Sequence, residues 1–326
     1  MPPRRNSEGG GTWQIRPRCS TIEEAQSEIE GGADSIWWIG ADGPALSVPF
    51  VHAGSNVSIA TDLTDLQPGD EIRVELDRDV FYSIAKLRAV RVLWNRKFGT
   101  NPFIHAVGSE RTLTRVDPWV NIMRQTTQAF AAVCGGADAI TIFPYDEAGN
   151  EHTALGRRTA RNTLLVLRHE SQIAGDPAAG SYYLDWLTKH LVDGGKFEHE
   201  GAQQFTGISE FPMASETPLS KNLRPVTCDT SPSDAAAWEA MRDEPAGNLF
   251  LCKLGPPKDH GAAATFARNL FVSGGYTVIE GGPDEFDGSA VACIVGPGDA
   301  NLPATKVLRN LDPKMDRLAF LRKLRS

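Results

Sequence analysis

The side chains of this 326-residue sequence that could act as acids, nucleophiles or ligands fall into a few groups. Arg157, Arg158 and Arg161 lie at helical spacing, and a guanidinium offers a planar fork to phosphate oxygens. The same spacing also describes the solvated face of a surface helix. Asp146 and Glu147 follow the apolar run Ala139–Pro144. Adjacent carboxylates there read as a solvated helix cap before they read as an acid–base pair. The stretch Gly255-Pro256-Pro257-Lys258-Asp259-His260-Gly261 is a loop whose His260 reads as an exposed histidine at a helix start. His105, in Ile104-His105-Ala106-Val107, reads as a core or strand-end histidine, and His52 closes a short apolar run. The five cysteines (Cys19, Cys134, Cys228, Cys252, Cys293) show no CxxC or Cys/His ligand spacing. They read as free thiols, three in apolar surroundings, and no metal site is expected. There is no Walker-type or GxGxxG loop. Gly296-Pro297-Gly298 is a turn or a contact for a nucleotide tail.

The elements that must hold these residues are legible from their ends. Asp79 caps a helix with Val80, Ile84, Leu87, Val90 and Trp94 on its inner face, closing near Gly99. Asp117-Pro118 reads as a cap followed by proline at the first helical position, with Trp119, Ile122, Thr126, Phe130 and Val133 as the apolar stripe. Ser181 opens a helix that ends at Gly194-Gly195. A short repeat joins helices to strands: Glu30-Gly31-Gly32-Ala33-Asp34-Ser35-Ile36 recurs as Cys134-Gly135-Gly136-Ala137-Asp138-Ala139-Ile140, and more loosely at Gly274-Gly275-Tyr276. Glycine past a helix takes the left-handed position without steric cost. The uninterrupted apolar runs that follow suit strands buried on both faces of a parallel sheet. The class is therefore α/β.

Four segments are expected: a disordered N-terminus (1–12) without a secretory signal, a βα domain (13–196), a Pro/Ser/Thr-rich linker (197–246) and a second βα domain (247–326) holding strands 249–254, 277–280 and 290–295. The net charge of −8 argues against nucleic acid as a partner, since that binding rests on phosphate neutralisation. No apolar run reaches the roughly 20 residues needed to span a bilayer, so a cytoplasmic protein is expected.

Several blocks, in order, resemble the methylmalonyl-CoA mutase family: Ala85-Lys86-Leu87-Arg88-Ala89 with Leu93-Trp94, Asp117 to Arg124, Gly135-Gly136, Asp146-Glu147-Ala148, Arg161-Asn162-Thr163, and Asp176-Pro177 with Gly180-Ser181-Tyr182-Tyr183. They span residues 70 to 195. Ser209-Glu210-Phe211-Pro212-Met213 is similar to the linker of the small subunit of two-subunit mutases. The resemblance implies a (β/α) TIM-barrel-like domain followed by a flavodoxin-like, cobalamin-binding-type domain. Both look abridged. The first has some 180 residues where a closed barrel takes about 250, and the shortfall falls near Gly40–Gly69. The second shows three strands where five would be expected.

In the family, adenosylcobalamin is held through an Asp-x-His-x-x-Gly loop. Here Lys258, Asp259, His260 and Gly261 occupy that loop without supplying the Asp/His pair in either register. No cofactor is expected on this chain, and adenosylcobalamin would sit in the partner subunit. His52 matches, loosely, a family histidine that hydrogen-bonds the thioester carbonyl. His105 matches a family strand whose substrate-facing glutamine is Val107 here. Arg157, Arg158 and Arg161 become candidates for acyl-CoA phosphates. The chain is thus expected to be a non-catalytic partner of a full-length catalytic subunit, with two alternatives: a mutase active alone, or an acyl-CoA binding or regulatory protein. It is expected not to be a monomer, with Trp37, Trp38, Trp119 and Trp186 as candidates for covered surfaces.

Overall fold

The computed structural model describes residues 13–40, 45–52, 66–149, 153–173, 175–197, 205–213, 215, 217–219 and 233–326. The chain divides into two compact units, Met1–Leu113 with Pro118–Glu198 and Leu219–Ser231, and Thr114–Asp117 with His199–Pro218 and Pro232–Ser326.

The first unit runs β1 (Gln14–Ile15), β2 (Arg18–Cys19), α1 (Ile22–Glu30), β3 (Ile36–Trp38), β4 (Phe50–His52), β5 (Glu71–Glu75), α2 (Val80–Phe98), β6 (Phe103–Val107), α3 (Val120–Cys134), β7 (Ala139–Thr141), α4 (Ala154–His169) and α5 (Tyr182–Val192). Its strands pair in the orders β1-β7-β6-β5 and β2-β3-β4, all parallel. β1 and β2 are two parts of one extended stretch through Arg16-Pro17. The Arg16 amide donates to Ile140 O on one side (3.0 Å), and Pro17 O accepts from the Trp37 amide on the other (3.0 Å). The strands thus follow one another around an arc, with the last, β7, returning to the first. Ile15, Ile72, Val74, Ile104, Ala106, Ile140 and Ile142 pack outward against Leu87, Val90, Trp94, Ala129, Ala132 and Leu164 of the helices. Burial of this kind contributes roughly 25 cal/mol per Å².

The glycine repeat closes three helices in the same way. At the first two copies the Gly32 and Gly136 amides bond Ile29 O and Val133 O, and the Ala33 and Ala137 amides bond Glu28 O and Ala132 O. The second glycine of each pair carries the left-handed backbone (φ 104° at Gly32, 78° at Gly136, 80° at Gly275), which is where the Schellman geometry requires it. Gly99 closes α2 (φ 69°), Asp79 Oδ1 accepts the Tyr82 amide at its start (2.8 Å), and Ser181 caps α5.

α3 departs from expectation twice. Its cap is Trp119, without a side-chain bond. Of the stripe read as inner, Trp119 and Phe130 are exposed while Val133 packs on the core, and the buried side carries Asn121, Gln125 and Gln128. Those amides are satisfied by loop backbone: Gln125 Oε1 accepts the Phe143 amide, Gln128 Oε1 accepts the Ser109 amide, and Asn121 Nδ2 donates to Tyr145 O. Buried polar groups with full partners are tolerated in a core.

The second unit contains α6 (Ala236–Asp243), β8 (Gly247–Lys253), α7 (Pro257–Ser273), β9 (Tyr276–Gly281), β10 (Val291–Val295), β11 (Lys306–Arg309) and α8 (Arg317–Arg325). Its parallel sheet has the order β11-β10-β8-β9. Part of the expected linker is built into this unit: Phe205 and Ile208 are buried, and Glu210 pairs with Arg317 (2.6 Å). Asp117 belongs here rather than at a helix cap. It is 1% exposed with φ 49°, accepts the Met213 amide (3.0 Å) and pairs with Arg242 (3.2 Å).

Candidate functional site

In the first unit, side chains that alternate with the helix-facing set point to the inner side of the strand arc. From β1/β2 come Arg16 and Arg18, from β3 Trp37, from β5 Glu71 and Arg73, from β6 His105 and from β7 Thr141. All but Glu71 are buried or nearly so, because two flanking layers exclude water from parallel strands. They form one network. His105 Nε2 is 2.7 Å from Thr141 Oγ1, and that hydroxyl donates to Arg16 O. The hydroxyl has one proton, so the neutral imidazole donates from Nε2. His105 Nδ1 lies 3.3 Å from Glu71, whose other oxygen bonds Arg16 Nη1 (2.6 Å). Arg16 continues to Ser35 and Gln14. The Trp37 indole stands edge-on to His105 (5.7 Å between centroids) and carries the Arg73 guanidinium over its face (4.3 Å).

Complete burial pushes the His105 pKa down to about 4, outweighing the pull of the nearby Glu71 carboxylate, with Arg16 acting in the same direction as burial. Burial pulls the other way on Glu71, yet His105 and Arg16 leave its carboxyl below the usual range. His105 has no solvent exposure. It is therefore the core histidine its sequence context suggested, with no free face to offer a carbonyl.

Beyond this layer Arg18 is clamped between Glu110 and Glu147 and lies over Phe143 (4.5 Å). Glu147 and Asp146 are accordingly buried, unlike the solvated cap expected of them, and Asp146 accepts from the Thr153 amide at the start of α4. Next to Arg18 a narrow cleft opens between α1, α4 and the ends of β2 and β7. Arg157 and Arg161 line it, but α1 occupies both: Arg157 pairs with Glu24 (3.3 Å) and Arg161 with Glu28 (2.9 Å). Burial holds the Glu28 carboxyl above its ordinary range, against the pull of Arg161. Arg158 is exposed, and the three arginines share a second cleft with Ser27 and Leu155. A phosphate would have to displace two ion pairs to reach two of them. β4 pairs with β3 through His52, whose side chain lies outside the described residues.

In the second unit, the segment read as a loop is helical. Pro257 occupies the first turn of α7, so Lys258, Asp259, His260 and Gly261 are all helical residues. Proline is pre-set for that position and Asp259 suits the helix dipole, so the helix starts directly after Pro256. His260 is half-buried, and its Nδ1 has no hydrogen-bond partner. A side chain at Gly296 would meet Leu254 O and His260 Cβ, so the Gly296–Gly298 turn presses directly on this helix start. Among the described residues no group of three or more His, Cys, Asp or Glu could hold a metal ion, and no helix is long and apolar enough to cross a membrane.

Comparison with known proteins agrees with these features. Residues 56–200 match the methylmalonyl-CoA mutase family model. The chain belongs to the methylmalonyl-CoA mutase family. A methylmalonyl-CoA mutase small subunit from Streptomyces virginiae is 31% identical over 81% of this chain and 53% of its own length. A probable small subunit from Mycobacterium bovis is 33% identical over 74% of the chain and 47% of its own length. The small subunit from Propionibacterium freudenreichii subsp. shermanii is 34% identical over 60% and 32%. The chain thus spans about half the length of the curated mutase relatives it matches first.

Proposed function

We propose that this chain is a non-catalytic partner subunit of an adenosylcobalamin-dependent acyl-CoA mutase, working in the cytoplasm beside a larger catalytic subunit. The observation that carries the reading is the packed inner side of the strand arc. Arg16, Trp37, Arg73 and His105, each at most 4% exposed, fill the inner side of the arc, where the resemblance to the family's catalytic barrel would have it enclose an acyl-CoA. Arginine and tryptophan locked by ion pairs and ring contacts do not move aside for a substrate without leaving charges unpaired, which is costly in a core.

The strand orders support the family architecture. An arc whose last strand returns to its first, with no pairing between β4 and β5 among the described residues, fits an abridged (β/α) barrel. The order β11-β10-β8-β9 fits the opening strands of a flavodoxin-like sheet. Small-subunit names among the relatives support a larger partner. The residues at the start of α7 do not suit cobalt ligation: Lys258 is a charged donor with no lone pair, and His260 is half-buried with no carboxylate two residues before it. Cobalamin therefore belongs to the partner, and this chain supplies surfaces.

The test is reconstitution with the large mutase subunit of the same source. The two chains are expected to co-elute, and the isolated chain to leave methylmalonyl-CoA and the adenosylcobalamin spectrum unchanged. Turnover by this chain alone overturns the reading. So does a shift to a histidine-ligated cobalamin spectrum that His260→Ala abolishes.

A further inference from the structure

Helix α5 buries Leu184, Leu187 and Leu191 against α2 and α3. Its outer face is where a solvated helix would carry charge, and it carries aromatic rings instead. Tyr182 is 93% exposed, Trp186 58% and Tyr183 47%, and Phe81 at the start of α2 is 54% exposed. Phe81, Tyr183 and Trp186 are contiguous, and Tyr182 stands beside Tyr183 in the chain. Phe81 meets Tyr183 edge-on at 5.7 Å, Tyr183 stacks near Trp186 at 5.9 Å, and Trp186 stacks on His190 at 5.4 Å. The inner leucines fix α5, so these side chains are presented on a rigid support. Exposed polar groups flank them, with Asp185 and the Lys189–Asp193 pair (3.0 Å) on the same helix.

From this arrangement we infer that the aromatic ladder of α5 and Phe81 is the surface that docks the larger mutase subunit. The inference rests on the proposed partner role and adds where that partner binds. An aromatic side chain buries on the order of 150–250 Å², so the four exposed rings offer roughly 500 Å² of apolar contact. A standard interface needs about 800 Å² per partner, and its energy concentrates in tyrosine and tryptophan surrounded by a polar rim. The ladder supplies such a centre, and Asp185, Lys189 and Asp193 supply part of the rim. Exposed apolar area of this size lies at the upper end of what a monomer leaves uncovered.

The experiment titrates the large subunit of the same source with the intact chain and with three variants: Tyr182→Ser, Trp186→Ser, and Val307→Ser as a control for an exposed apolar residue elsewhere (42% exposed). Thermal melts verify that each variant is folded. Wild type and Val307→Ser are expected to bind alike, while Tyr182→Ser and Trp186→Ser each weaken binding at least tenfold at unchanged melting temperature. If all four proteins bind equally, the docking surface is wrong and the partner role stands. If wild type does not bind, the partner role itself fails and the inference falls with it. Light scattering that shows a dimer of this chain, dissociated by Trp186→Ser, assigns the ladder to a second copy and also overturns the inference.

Discussion

Replacing His105 by Gln should remove a defined slope from the dependence of stability on pH. The imidazole is neutral in the folded protein because burial pushes its pKa from 6.5 down to about 4. Between those values the unfolded chain binds more protons than the native one, so stability rises with pH across that window. The contribution is complete above 6.5 and is lost as pH falls toward 4. With these two values, wild type should be about 2 kcal/mol less stable at pH 5 than at pH 8 on account of this residue alone. Glu71 has its carboxyl below the ordinary 4.5, so its own contribution is lost mainly below 4.5, under the pH 5 to 8 range. Urea unfolding of wild type and His105→Gln at pH 8, 6.5 and 5 gives the difference directly, provided the slope with denaturant is unchanged. Glu71 stands 3.3 Å from Nδ1 and offers the refuting outcome. If the carboxylate rather than burial governs the ring, His105 is charged in the folded state. Wild type then gains stability relative to the variant as pH falls from 8 to 5, and the reasoning has the wrong sign.

Asp117→Ala is expected to cost roughly 3–5 kcal/mol, because it strands Arg242, itself 9% exposed, without its counter-charge. A loss of only about 1 kcal/mol in chemical denaturation would return Asp117 to the role of a helix cap. Asp79→Ala, which removes the bond to the Tyr82 amide, should lower stability by about 1 kcal/mol, seen as a lower urea midpoint at unchanged slope. Gly136→Ala meets no atom within 4 Å yet must adopt φ 78°, so a cost of about 1 kcal/mol in the thermal melt is expected from backbone conformation alone. A neutral result there would show that the turn relaxes.

The local rules written along the chain carried far. Gly-Gly after a helix, Asp79 and Ser181 before one, and unbroken apolar runs each act through neighbours within a few residues, so they are legible without a fold. The family blocks were legible too, because their residue types stand in order at fixed spacing. Some features depended on partners remote in sequence. β11 has a largely exposed face and no apolar run, and it is a strand because β10 lies beside it. α3 turned its Gln125 and Gln128 inward because loop amides 18 and 19 residues away needed acceptors. Trp37 and Trp38, read as surface residues, are 1% and 4% exposed on a central strand, whereas Trp119 and Trp186 remain outside. Asp117 looked like a cap until Arg242, 125 residues later in the chain, claimed it. His105 shows the same division. Its sequence context suggested a core histidine, but the depression of its pKa comes from the burial that β1, β5 and β7 impose together. Sequence determines what a residue can do locally, and the tertiary structure determines the dielectric and the partners in which it does it.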